Sequence, residues 1–203
     1  MAGLLSNFRN TVIVSVVLAL VLLGAFATGP VGTSEIFWQG VVRWLHVFFG
    51  ILWIGLLYYF NFVQIRKMPD IPAELKPAVT KHIAPEALFW FRWSALATVV
   101  MGVAILVMRG YAHEVLTMGL AGGYTASDKG FTLLGLGVWL AIIMFLNVWG
   151  IIWPNQKRAL GIVEADADTK AKSTRIAMLA SRTNMLLSIP MLVSMTMYQT
   201  TFG

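Results

Sequence analysis

Arg43 and His46 stand three residues apart inside an apolar stretch that runs from Phe37 to Gln64. An ionisable side chain in hydrocarbon costs about 2.5–3.5 kcal/mol on insertion scales unless it faces a partner or a wet cavity, so the pair marks a site by default. An imidazole one turn below a guanidinium has the parts of a b-type haem site: a ligand for iron and a cation for a propionate. On a helical wheel Arg43, His46, Gly50, Trp53, Leu57, Asn61 and Gln64 share one face. His46 would ligate the iron and a flat macrocycle would lie against Gly50. Arg43, about 4.5 Å of helical rise nearer the outside, would meet a carboxylate. The same two side chains could instead hydrogen-bond to neighbouring helices and hold a bundle together.

A bis-histidine haem needs a second imidazole at matching depth, and only His82 and His113 remain. His82 falls at the opposite membrane boundary. With Glu86, four residues on, it makes a minimal ligand pair that is better read as an interfacial hydrogen bond. His113 lies just beyond the outer end of the third apolar run, where it either folds back toward His46 or is solvated. A second polar group gathers in the inner half, with Arg92, Asn61 and Asn147 flanked by Trp90, Trp93, Trp149 and Trp153. Arg92, Asn61, Asn147 and Trp153 would line a pocket for an anionic or carbonyl-bearing ligand such as a quinone or purine. The alternative is polar glue between helices beneath an interfacial aromatic belt.

The elements that position these residues follow from composition. The chain of 203 residues is 58% hydrophobic and 12% charged, with a mean hydropathy of +0.76; a soluble domain carries about 25% charged residues. Apolar runs at 11–29, 36–64, 86–109, 131–154 and 184–202 are each long enough to cross a bilayer, which takes about 20 residues. They predict an all-α fold, a single polytopic transmembrane bundle of five spans covering residues 1–203. The runs lack the alternation of a transmembrane β-barrel. The first run, with Arg9 before it and Ala25-Phe26-Ala27 at its end, has the look of a secretory signal but is read as a retained helix.

Eleven of the fifteen basic residues fall on one side of these spans, in the connections 65–85 and 155–183 and at Arg9, against Arg109 and Lys129 on the other. The positive-inside rule then predicts the N-terminus inside and the C-terminus outside, in a bacterial inner membrane. An anionic leaflet accounts for the net charge of +6, so nucleic acid is not an expected partner. The absence of cysteine excludes disulfides, cysteine-ligated iron–sulfur clusters and covalent c-type haem.

Pro85 is expected at the first turn of the third helix and Pro154 at the end of the fourth. Glycines at 119, 122, 123 and 130 predict a flexible outer connection. Helical composition resumes near Thr169 and runs into the fifth span, which Pro190 should kink. No internal repeat supports an inverted-repeat transporter.

Several blocks resemble the bacterial membrane urate hydroxylases, a family defined by its urate-oxidase N-terminal domain. They are Trp44-Leu45-His46, Gly50-Ile51-Leu52-Trp53-Ile54-Gly55, Tyr59-Phe60-Asn61-Phe62-Val63-Gln64, Pro85-Glu86-Ala87-Leu88-Phe89-Trp90-Phe91-Arg92-Trp93, and Asn147 through Lys157, with its Trp-Pro-Asn-Gln-Lys motif. The match continues through Ser181-Arg182-Thr183-Asn184 and Ser188-Ile189-Pro190-Met191-Leu192. The resemblance implies a membrane oxidoreductase passing electrons from a purine to a cytochrome c on the outer side. In that family the cytochrome is a C-terminal domain; this cysteine-free chain would need a separate cytochrome c or a larger respiratory or photosynthetic complex. A homo-oligomer and a non-catalytic accessory subunit are further expectations. A weaker likeness, carried by Leu45-His46 and Trp53 through Tyr58, joins the haem-binding membrane protoporphyrinogen oxidases.

Overall fold

The computed structural model describes residues 2–30, 32–122 and 128–202; Gly123 of the glycine-rich connection lies outside them. The described residues form helices and no strand. Five helices are long and apolar enough to cross a membrane: α1 (Phe8–Ala27), α2 (Glu35–Asp70), α3 (Lys76–Met108), α4 (Lys129–Ala159) and α5 (Ala167–Thr201). By their contacts the residues divide into two units, 1–42 and 43–203, with the boundary inside α2.

In the first unit α1 begins at an N-cap, Asn7, whose side chain accepts the Asn10 N–H at 3.2 Å, supplying a donor at the helix start with a partner. None of its side chains is buried. The exposed residues are valine, leucine, isoleucine and phenylalanine, a surface suited to lipid.

The second unit has a core to which four helices contribute. Trp53 and Leu57 from α2, Phe91 and Ala95 from α3, Met144 and Val148 from α4, and Met191 from α5 meet there. Because lipid tails are as apolar as leucine, close packing rather than escape from water must hold these helices together. Small residues permit it. A Cβ at Gly137 of α4 would collide with Ser194 of α5, whose hydroxyl donates to the Leu133 carbonyl. A second cluster, at the end away from the basic connections, joins Leu106, Leu134 and Tyr198 to Val115, which belongs to a short helix, Ala112–Leu116.

The helices outrun their hydropathy signal. α5 has 35 residues, about 50 Å at 1.5 Å per residue, against a hydrocarbon core of about 30 Å. Its N-cap Asp166 accepts from both the backbone N–H and the hydroxyl of Thr169, at 2.8 and 2.7 Å. The expected resumption of helix near residue 169 therefore has a capping cause, and Pro190 lies inside the helix.

Pro85 lies in the first turn of the α-helical stretch Ala84–Met108, as expected, but helix also precedes it, and Pro154 does not end its helix. α3 is helical from Lys76, nine residues before Pro85, and α4 continues past Pro154 to Ala159. In each case a π-helical turn precedes the proline, Val79–Ile83 before Pro85 and Val148–Ile152 before Pro154. An ordinary α-turn would drive the proline ring into the carbonyl four residues back. The wider turn, in which Ala84 N–H reaches Val79 O and Trp153 N–H reaches Val148 O, lets the helix proceed. A third π turn, Tyr59–Gln64 in α2, is not followed directly by a proline and carries Asn61 and Gln64.

Candidate functional site

His46 projects from α2 onto α3. Its Nδ1 lies 2.8 Å from the carbonyl oxygen of Thr98. A carbonyl only accepts, so Nδ1 carries the proton, and Nε2 presents its lone pair. Nε2 has no hydrogen-bond partner among the described residues and is not among the atoms sealed inside without one. A backbone carbonyl on one ring nitrogen and a free second nitrogen is the arrangement that orients a metal-ligating histidine.

The close approach depends on α3. A Cβ at Gly102 would stand 3.0 Å from Cε1 of His46 and 3.2 Å from Nδ1, tighter than a settled contact. Gly50, one turn below His46, faces the same helix, and a Cβ there would meet the Thr98 methyl at 3.8 Å. The face of Gly50 that would carry a side chain is thus turned to Thr98. Thr98 and Gly102 were not singled out from sequence. Their signal is the row Ser94, Thr98, Gly102, small residues four apart on one face.

Arg43 donates from Nη1 to Gln199 Oε1 of α5 at 2.8 Å. The partner is a neutral amide, so the charge is held without being neutralised. His113 is exposed on the helix Ala112–Leu116, which is anchored through Val115. Among the described residues no three histidine or carboxylate groups converge to hold a bare metal ion. By its donor chemistry the His46 imidazole would suit a haem iron, and the Arg43 guanidinium would suit a propionate.

The polar residues Asn61, Asn147 and Arg92, with Trp153, separate into two pairs. Asn61 and Asn147 converge on one turn of α5. Asn61 Nδ2 donates to Ser181 Oγ and to the Leu57 carbonyl, both at 2.9 Å. Asn147 Nδ2 donates to the Ala180 carbonyl at 2.9 Å and to Asn184 Oδ1 at 2.7 Å. Asn184, fully buried, returns a bond to the Met144 carbonyl at 3.0 Å. Arg92 and Trp153 form the other pair, with the guanidinium carbon 3.6 Å from the indole centre. Such a contact is worth about 0.5–2 kcal/mol.

Four buried polar atoms have no partner among the described residues: Trp53 Nε1, Asn61 Oδ1, Gln64 Oε1 and Trp149 Nε1. Ordered water or a small polar ligand would satisfy them. The His82–Glu86 bond expected from their spacing does not form. His82 is exposed, and the Glu86 carboxylate accepts from Trp90 Nε1 at 2.9 Å. The π turn at Val79–Ile83 includes His82 and alters the four-residue register between the two.

No family model, curated protein or solved structure matches the chain.

Proposed function

We propose that the chain is a multi-pass protein of a bacterial inner membrane, N-terminus inside and C-terminus outside, that binds b-type haem and passes electrons to a cytochrome c on the outer side. The resemblance to urate hydroxylases supports an oxidoreductase setting, with a purine as the ultimate electron source. The observation that carries the reading is the His46 ring: Nδ1 is fixed on the Thr98 carbonyl, and Nε2 lacks a hydrogen-bond partner among the described residues. Haem would supply one-electron chemistry. The chain's own residues orient the ligand, with Thr98 fixing the tautomer, Gly102 making room and Arg43 offering charge to a carboxylate. His113 is the outer-side candidate for a second ligand. The test is to extract the pigment of protein purified from haem-replete cells and to mix the reduced protein with cytochrome c. Non-covalent haem b and rapid oxidation of the protein support the reading; colourless protein rejects it.

A second reading has its own observation. Arg43, Asn61, Asn147 and Asn184 all spend hydrogen bonds between helices, as the polar glue of an accessory subunit would. That reading expects co-purification with a larger respiratory or photosynthetic complex, and a haem-loaded particle isolated alone contradicts it.

A further inference from the structure

The basic end of the bundle holds two cations that share one indole. Arg92 stacks on Trp153 at 3.6 Å, and Lys157, one turn further along α4, places Nζ 5.7 Å from the same ring. Two like charges on one ring repel unless an anion joins them. Among the described residues no carboxylate lies within ion-pair distance of either, the ion pair found being Lys67–Asp70. The acidic residue nearest Arg92 in sequence, Glu86, is engaged by Trp90.

The side chains also have a direction. Arg92 Nη1 donates 3.2 Å back to the Leu88 carbonyl, one turn nearer the start of α3. The guanidinium therefore bends toward the basic end, as a long cationic side chain does when it reaches from hydrocarbon to the headgroups. Most of its donors are left for an outside acceptor. Phe89, Trp90 and Trp93 are exposed beside it and offer a wall for acyl chains.

We propose that Arg92, Trp153 and Lys157 bind the phosphate of an anionic phospholipid at this boundary. The planar guanidinium, held over the indole, offers a pair of donors to phosphate oxygens, and Lys157 adds a second charge. The flanking aromatic surface favours a lipid over free phosphate. The proposal is independent of the haem reading, which concerns α2 and the upper part of α3.

The test is native mass spectrometry of the full chain in mild detergent, titrated with phosphatidylglycerol, with phosphatidylcholine of the same chain length, and with inorganic phosphate as competitor. The expected result is retention of phosphatidylglycerol alone, weakened about tenfold by Arg92→Gln and by Lys157→Gln, as loss of a charge-assisted hydrogen bond implies. Lys129→Gln, in the other basic set, should leave it unchanged. Should Arg92→Gln fail to fold, Lys157→Gln decides alone. Undiminished retention in the folded variants, equal binding of phosphatidylcholine, or displacement by inorganic phosphate would overturn the proposal.

Discussion

The Cβ that Gly102 lacks would stand 3.0 Å from Cε1 of His46, so one residue's missing side chain is what lets the other reach the Thr98 carbonyl. The histidine's tautomer, and with it the freedom of Nε2, depends on a glycine 56 positions away in sequence.

Gly102→Ala should therefore displace the imidazole from Thr98. Overpacking of this kind costs about 1–3 kcal/mol. Gly50→Ala, whose Cβ would rest at an ordinary 3.8 Å from Thr98, should be neutral or stabilise by up to about 1 kcal/mol through helix propensity. Reversible unfolding in mixed micelles checks both. Equal effects of the two alanines would show that the His46 contact is not what Gly102 serves.

Asn147 and Asn184 clamp α4 to α5 through a direct bond and two bonds to backbone carbonyls. Asn184→Leu should destabilise by about 1–3 kcal/mol, since it strips a buried partner from Asn147. A double-mutant cycle between Asn147→Ala and Asn184→Ala should give a coupling of about 0.6–1.7 kcal/mol, the range of interhelical bonds in membranes. Strict additivity would argue that the two amides act separately.

Orientation is open to labelling. Thr169→Cys, at the capped start of α5, and Glu114→Cys, on the exposed outer helix, should react with an impermeant thiol reagent from opposite sides in sealed vesicles, with Glu114→Cys modified from outside. Labelling of both from one side contradicts the arrangement.

The cap of α5 should respond to acid. The backbone N–H and then the hydroxyl of Thr169 hold the Asp166 carboxyl below its usual 3.8. A depressed value in the folded state means that the cap's contribution is complete above the ordinary carboxylate range and is lost as pH falls through the lowered value. Protection from hydrogen exchange at the first turn of α5, taken against the intrinsic rate at each pH, should hold near neutrality and fall only below the usual range, whereas Asp166→Ala should lack that protection at every pH. A wild-type loss of protection that instead follows an unperturbed carboxylate would contradict the bonded cap.

Five apolar runs were legible because a helix that meets lipid on most of its surface writes its length directly in hydropathy. One polar extension was not: residues 76–85 are charged enough to read as a loop, yet a π turn before Pro85 carries the helix through them, whereas the helix resuming near Thr169 was legible and Asp166 caps it. Arg43 and His46 stood out because ionisable groups are rare in such runs. Their partners Gln199, Thr98 and Gly102 did not, because a neutral amide, a hydroxyl and a glycine are unremarkable until the helices are paired. Arg92, Trp153, Asn61 and Asn147 were read from sequence as the lining of one pocket. Depth alone could not say that the asparagines turn to α5 while Arg92 turns to Trp153.

The central claim is that His46 binds haem iron through Nε2. Its most direct test is the absorption spectrum of His46→Gly, with and without added imidazole, beside wild type. The expected result is a Soret band in wild type, its loss in His46→Gly, and its return when imidazole enters the space the side chain vacated. A wild-type protein without a Soret band, or a band that His46→Gly leaves unchanged, would contradict it.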